Sequence, residues 1–238
     1  FRAPNIDDLG KVFIKDQFLT VPNSQLDPEY AYNFSFGIGK KIDFKNIQFS
    51  FSSSSFVTIL DNVITKQTLE INGSNLIYYD SNYYEILANQ NSESGTVYGL
   101  SGSLFITFFK NLKVHSSLCY NRGFLKNTQI PMSHIPPLFG KLNLNYTFKK
   151  IELQILNNFN AEKINKLFGQ GNTDNPLEAS PMGYPSWWVI NTQVGYQYRE
   201  SLNLSLGVYN LLDIHYKTFA SGVSAPGRSL MASAKLSF

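Results

Sequence analysis

The sequence predicts an all-β protein, a transmembrane antiparallel β-barrel. Three observations predict it: polarity alternates with period 2 along most of the chain, the connections between the alternating runs are short and long in turn, and the composition is rich in aromatics and poor in charge. Charged residues are 16% of the 238, against roughly 25% in ordinary soluble domains. Aromatics reach 15% through 19 Phe and 14 Tyr. No run approaches the roughly 18 to 20 apolar residues that a spanning helix requires, which leaves a closed barrel as the way to cross a bilayer.

The clearest strands lie toward the C-terminus. Leu230, Ala232, Ala234, Leu236 and Phe238 alternate with Ser229, Met231, Ser233, Lys235 and Ser237, a pattern suited to lipid on one side and water on the other. The terminal aromatic Phe238 is placed on the lipid face, where a barrel-assembly signal is read, and the strand is expected to end in the periplasm. Upstream, Leu202, Leu204, Leu206 and Val208 face one way and Asn203, Ser205 and Gly207 the other. Trp188, Ile190, Thr192, Val194, Tyr196 and Tyr198 form the lipid face of the preceding strand, with aromatics at both ends where girdles belong. Strands are further expected near 151–159, 142–148, 113–121, 97–109, 47–60 and 29–39, about nine in all, each near the length a tilted transmembrane strand needs.

Short turns are expected at 40–46, 110–112, 149–150 and 199–201, and long polar loops at 61–96, 122–137, 163–186 and 213–225. With Phe238 in the periplasm every short turn falls on the periplasmic side and every long loop outside, which a soluble β-sandwich binding module gives no reason for. An odd number of strands does not close an antiparallel barrel, so a further strand is expected before Phe1. An exported protein carries a signal peptide. The sequence instead opens in what reads as a loop, so a fragment is expected.

Other function classes find little support. The single Cys119 has no partner for a disulfide and reads as a packed or pore-facing thiol. Lys and Arg are scattered and the net charge is +3, so nucleic-acid binding is not indicated. Ser133 beside His134 is the one local nucleophile and base candidate for a barrel hydrolase, with no orienting acid nearby in sequence, and no catalytic residue or metal ligand is assigned. A passive porin is expected to carry a dense field of charges at its constriction, whereas the inward residues are mainly Ser, Asn, Gln and Gly. Gly169-Gln170-Gly171-Asn172 lacks the strand and helix of a phosphate loop and reads as a turn.

Several short motifs then stand out. Phe1-Arg2-Ala3-Pro4 opens the chain, and Pro22-Asn23-Ser24-Gln25-Leu26-Asp27-Pro28-Glu29 follows. Ile135-Pro136-Pro137 precedes a strand, Asn210-Leu211-Leu212-Asp213 has Tyr216 three residues on, and Pro226-Gly227-Arg228 leads into the last strand. In identity, order and spacing these resemble the FRAP and NPxLxPE boxes and later motifs of TonB-dependent receptors, over essentially the whole chain but only the second half of a family member. The resemblance implies a barrel of about 22 strands, within the even-numbered range of bacterial barrels. It implies residues 1–238 as the C-terminal portion of that barrel, with the plug domain, the TonB box and the earlier strands absent. It further implies an outer-membrane receptor of a Gram-negative bacterium that takes up a scarce nutrient, an iron chelate such as a siderophore or haem leading. The partners implied are outer-membrane lipid, the barrel-assembly machinery through the C-terminal strand, and TonB through the missing N-terminal region. No cofactor and no enzymatic activity are implied.

Some haem receptors of this family carry a histidine between the first two boxes; residues 5–21 contain none, and His115, His134 and His215 lie elsewhere. Within Phe1–Glu29, Lys15, Asp16, Gln17 and Phe18 form the expected tip of a capture loop, and the box residues Phe1, Arg2, Ala3, Pro4, Asn23, Leu26, Pro28 and Glu29 its anchors. Asn210, Leu211, Asp213, Pro226, Gly227, Arg228 and Phe238 are expected to be structural in the same way. Asp27 and Glu29 with Arg2, and Asp213 with Arg228, are expected to form structural ion pairs. Tyr184, Tyr216 and Phe219 are the candidate aromatic ligand contacts, and Trp187 and Trp188 suit the interfacial belt.

Overall fold

The computed structural model describes residues 1–170 and 173–237. A short helix, α1 (Ile6–Gly10), precedes the hairpin β1 (Phe13–Lys15) and β2 (Phe18–Val21). Two long strands follow, β3 (Tyr30–Phe44) and β4 (Ile47–Asp61), then three shorter ones, β5 (Ile64–Thr68), β6 (Leu76–Tyr79) and β7 (Asn82–Asn91). The chain continues through β8 (Gly95–Phe108), β9 (Leu112–Leu125), β10 (Phe139–Phe148) and β11 (Ile151–Asn160). After the two-residue strands β12 (Lys163–Ile164) and β13 (Gly183–Tyr184) come β14 (Trp187–Arg199), β15 (Leu202–Tyr209) and β16 (Ser229–Leu236).

Among the described residues, nine of these strands form one antiparallel sheet in the order β16-β15-β14-β11-β10-β9-β8-β4-β3, the wall of a partial barrel. Consecutive wall strands are neighbours throughout, so each connection is a simple reversal. The register carries the sequence alternation across all nine: Leu206 lies beside Val194 and Ala232, and Ser205 beside Gly195 and Ser233. One face is therefore aliphatic and aromatic, with Leu206 59% exposed despite having nothing polar to offer water. The other face is polar, and its serines bond across strands: Ser52 to Ser103 and Ser54 to Ser101 at 2.8 Å, Ser205 to Ser233 at 2.7 Å. Leu204, Leu206 and Leu236 lie on the apolar face and Asn203, Ser205, Ser233 and Lys235 on the other, as the alternation predicts. Phe238 lies outside the described residues.

Connections sort by length as expected, with reversals at 45–46, 109–111, 149–150 and 200–201 at one end and the long segments at the other. Three boundaries differ from expectation. Residues 40–44, expected within the short turn 40–46, continue β3, because Ile42 and Phe44 stay on the apolar face while Lys41 and Asp43 pair at 3.7 Å on the polar one. Likewise β9 runs to Leu125, shortening the loop expected at 122–137. The largest difference is 61–96, expected as a polar loop, which instead folds with the N-terminal segment into a small five-stranded sheet. Its path is β1-β2-β7-β5, with β6 pairing β7 and with β2 and β7 parallel. Ile86, Leu87 and Ala88 are nearly fully buried in it, a consecutive apolar run covered on both faces rather than an alternating one. A second cluster, Leu60, Val63 and Leu125 with Val97, Ile130 and Met132, seals the junction between the wall and the extracellular segments.

Two outcomes are expected from this wall. Leu206→Arg on the lipid face should lower the stability of the folded barrel by about 2–4 kcal/mol if it sits near the bilayer midplane, while Ser205→Arg on the lumen side should be nearly neutral, both read by refolding from urea into vesicles. In a Cys119→Ser background, a cysteine at Val223 should label on intact cells and one at Lys150 should not, although both side chains are exposed in the structure. Equal labelling at the two positions would reverse the topology.

Candidate functional site

The N-terminal boxes act as a clamp. Arg2 and Glu29 exchange backbone hydrogen bonds at 2.8 and 2.9 Å, joining the first box to the second. Asn5 caps α1, its side chain accepting from the Asp8 amide while Asp8 accepts from the Asn5 amide. Asp8 is buried and also receives the Arg2 guanidinium at 2.8 Å and the Asn89 side-chain amide at 2.8 Å. Asn23 donates to the Asn89 carbonyl, Asn91 and Asp27 bond reciprocally, Asn62 donates to the Pro28 carbonyl, and the Glu29 carboxylate accepts the Ile64 amide. Leu26 is buried beneath this network, and Phe1 lies against Tyr30. The expected ion pairs of Arg2 with Asp27 and Glu29 are replaced by Arg2–Asp8. The Glu29 carboxylate is taken by the Ile64 amide, Asp27 is held through its own backbone by Asn91, and Asp8 is fixed by its capping bonds where Arg2 can reach it.

The C-terminal motifs do the same work at the other end. Asn210, buried with φ of 50°, accepts the Ile214 amide and donates to the Ile214 and Pro226 carbonyls. Asp213 accepts the Arg228 amide at 2.7 Å in place of an ion pair with its side chain, and Gly227 leaves the room this needs.

On the lumen face lies an open cavity of about 820 Å³. Its floor is hydroxyl-rich, with Ser52, Ser54, Ser101, Ser103 and Ser117, and Cys119 beside them. Its upper rim is aromatic: Trp187 stacks on Tyr216 with ring centroids 4.5 Å apart, and Phe219 completes the rim. The Trp187 indole N–H is buried with no hydrogen-bond partner among the described residues. A buried donor left unmade costs about 1–3 kcal/mol, and a ligand acceptor in the cavity is one way to relieve it. Parity separates the two tryptophans expected in the belt: Trp188 is 59% exposed on the lipid face, and Trp187 turns into the lumen.

The rim is braced from behind. Tyr184 is 2% exposed, packs on Phe219 at 5.5 Å and donates its hydroxyl to the Asn175 carbonyl, so it supports the rim. Burial first, then the charges of Glu178 and Asp174, pushes its pKa above the usual tyrosine value. Lys163, 5% exposed, donates to the Ile135 carbonyl at 2.6 Å and sits over the Phe219 ring at 5.1 Å. Burial lowers its pKa, Asp174 partly restoring it. Gly183, with φ of 119°, lies so close to the Lys163 carbonyl that any Cβ would collide with it. Asp174 is fully buried and accepts the amides of His134 and Gly169, each at 2.7 Å.

The hairpin residues lie apart from this rim. Lys15 pairs with Phe18 across the turn Asp16–Gln17, the Gln17 carbonyl accepts the Glu85 amide, and the Lys15 ammonium donates to the Asn175 side chain at 2.6 Å. The structure therefore brings Tyr216 and Phe219 together at the cavity and places Lys15, Asp16, Gln17 and Phe18 on the extracellular sheet. Trp187, expected in the belt, is set on the lumen face by its parity with Val189 and Asn191, whereas Lys163, Asp174 and Asn175 carry no signal in the sequence.

The Ser133–His134 pair gains an acid from a distant loop, with Asp174 3.9 Å from the His134 ring. Yet Ser133 donates to the Gln170 carbonyl, and both Asp174 oxygens are taken by backbone amides. His115 faces the lumen beside Phe105, and His215 bonds Ser224. Among the described residues no three or more His, Cys, Asp and Glu side chains converge as a metal site requires.

A partial barrel with a hydroxyl-lined lumen, an aromatic rim and long extracellular segments defines an outer-membrane β-barrel protein. The chain belongs to the TonB-dependent receptor family: the family described as TonB dependent receptor-like, beta-barrel, matches residues 1–211. Members are receptors and transporters of the Gram-negative outer membrane, not enzymes. The probable TonB-dependent siderophore receptor PirA of Acinetobacter baumannii is 22% identical over 94% of this chain and 32% of its own length. The solved siderophore receptor PirA from Acinetobacter baumannii superposes with a TM-score of 0.66 at 20% identity, over 94% of this chain and 34% of that one. The copper transporter OprC gives 0.68 at 20% identity, over 90% and 32%. The chain thus spans about a third of the length of these relatives.

Asp174→Ala should leave two buried amides without acceptors, at about 1–3 kcal/mol each. The expected result is faster proteolytic cleavage within 163–186 of the folded protein, with the heat-modifiable gel shift of the barrel unchanged.

Proposed function

We propose that residues 1–238 are the C-terminal portion of the barrel of an outer-membrane receptor that actively imports an iron chelate, a siderophore or haem. The observation that carries the reading is the aromatic rim of Trp187, Tyr216 and Phe219 set over a roomy hydroxyl-lined lumen. Stacking and cation–π contact at the rim suit a bulky organic chelate, and a volume of about 820 Å³ admits one. Relatives named as siderophore receptors support the same cargo. In this reading the plug domain and the remaining strands belong to segments outside the chain, and TonB acts through one of those segments. The C-terminal strand engages the barrel-assembly machinery, and the apolar face meets outer-membrane lipid. The hairpin tip Lys15, Asp16, Gln17 and Phe18 makes first contact with cargo, and Tyr216 and Phe219 hold it, with Tyr184 behind them.

In the full-length receptor, replacing residues 15–18 with Gly and Ser, or Tyr216 with Ala, should slow growth on the chelate as sole iron source while leaving the heat-modifiable shift intact. Pro4→Gly or Leu26→Ala should instead lower the yield of folded barrel. Wild-type uptake in both the tip and Tyr216 variants would remove the basis for the assignment.

A further inference from the structure

The four short reversals of the wall repeat one feature, an aromatic residue followed at once by a cation: Phe44-Lys45, Phe109-Lys110, Phe148-Lys149 and Tyr198-Arg199. All eight side chains are exposed, the rings by 69, 67, 50 and 49%. Phe44 and Phe148 lie on the apolar face opposite Ile47 and Ile151, and Tyr198 lies beside Tyr196 of that face, ring centroids 6.5 Å apart. Phe109 stands at its turn directly after Phe108, which shares the face with Ile47. Aromatics on the lipid side at the end of a barrel belong to its interfacial girdle. That role does not call for the cation beside each one.

The cations form a row. The reversals recur at every second strand of the wall, about 10 Å apart at the ordinary strand spacing. Successive reversals are also tied to the strands that follow: the carbonyls of Asn46, Asn111 and Lys150 accept the amides of Phe109, Thr147 and Gln197 at 2.7, 2.8 and 2.8 Å. Two cations sit over their own ring, with Lys149 Nζ 5.3 Å from the Phe148 centroid and Arg199 Cζ 5.4 Å from that of Tyr198. Among the described residues Lys45, Lys110, Lys149 and Arg199 have no carboxylate partner, and Lys150 donates to the Tyr198 carbonyl. Glu200 is the one acid within the reversals. At the opposite end, segment 61–96 carries five acids against Lys66 alone. The modest net charge of +3 therefore hides a basic collar at the short-turn end.

A ring on the lipid side with a cation just beyond it matches the section through a phospholipid monolayer, acyl boundary first and phosphate next. A row that follows the wall within the membrane plane meets such headgroups along its whole length. A folded periplasmic partner would cover only part of it, and anything inside the lumen touches the other face. We propose that the short-turn collar is a binding surface for anionic phospholipids of the periplasmic leaflet. Lys45, Lys110, Lys149 and Arg199 hold the lipid phosphates, and the aromatic before each packs on the adjoining acyl chain. Phosphatidylglycerol and cardiolipin are then taken in preference to zwitterionic lipids, by about fivefold for each cation near the surface.

The test uses the full-length receptor, freed of native cysteines, in phosphatidylcholine vesicles, with a bimane label on Asn46→Cys. Quenching curves with brominated phosphatidylglycerol and brominated phosphatidylcholine give a relative association constant at that reversal. A preference of at least about fivefold for phosphatidylglycerol at low salt, weaker at physiological salt, is expected. Lys45→Asn, Lys110→Asn and Lys149→Asn, which suit a positive φ, combined with Arg199→Gln should bring the ratio close to one. Arginine at the three lysines should keep it, and Lys217→Gln, a lysine paired with Glu178 on the extracellular side, should change nothing. Should the fourfold variant fail to give the folded gel shift, Lys45→Asn with Lys110→Asn replaces it and should lower the ratio in the same direction. Equal quenching by the two lipids, or a preference that survives in a folded variant, overturns the collar. Quenching by the phosphatidylcholine probe in each folded variant reports that the wall sits in the bilayer, so loss of the preference alone leaves the receptor reading intact.

Discussion

Inside a bilayer no water satisfies a backbone amide, and this constraint organises the rest of the structure. Nine strands meet it with an antiparallel ladder, irregular between β14 and β15 only near Gln197 and Arg199 among the described residues, and the ladder dictates the alternation of side chains, because neighbours along a strand must point to opposite faces. Reversals are confined to the ends of the wall. At the short-turn end they are tight enough that Lys45, Lys110 and Lys149 adopt positive φ, a conformation usually left to Gly, Asn or Asp. Lysine tolerates it there because its stem and charge point into water, and the reversal saves exposed backbone.

At the opposite end water returns and the constraint changes form. The long segments cannot all pair with one another, so short polar side chains take over the satisfaction of backbone groups. Asp8, Asn91, Asp174, Asn210 and Asp213 each bind one or more backbone amides or carbonyls, and their short stems hold those groups at fixed positions. That accounts for acids beside arginines that do not pair with them. Glu29 and Asp213 serve the main chain, Asp27 is held through its own backbone by Asn91, and Arg2 finds the one acid, Asp8, whose position is already set by a helix cap.

This division explains what could be read in advance. The wall was legible because the ladder converts facing directly into a period-2 pattern, and strands such as Trp187–Arg199 and Ser229–Leu236 announce themselves. The end of β3 was hidden by its charges: Lys41 and Asp43 mark the watery lumen face, whereas Lys40, opposite Phe51, interrupts the apolar one. The extracellular sheet was illegible for a deeper reason. Its pairing of β2 with β7 joins residues more than sixty positions apart in parallel, and its buried centre Ile86, Leu87 and Ala88 does not alternate. Of the candidate site, Tyr216 and Phe219 were visible as loop aromatics. The brace behind them was not, because Lys163, Asp174 and Asn175 draw their roles from contacts between loops distant in sequence.

The two ends of the lumen offer a solute different things. At the rim, Trp187 holds an unmet donor and its neighbours present π-faces, so an arriving molecule gains from contact. Deeper in, Ser52, Ser54, Ser101 and Ser103 already bond one another across the strands. A hydroxyl pair satisfied within the wall has little to gain by exchanging its partner for a passing group, and it has no large side chain to obstruct passage. Under the transport role proposed above, affinity is concentrated at the rim and the wall beneath is weakly adhesive. Selection can then occur where the loops can adjust to a ligand, and the rigid ladder need only let it pass.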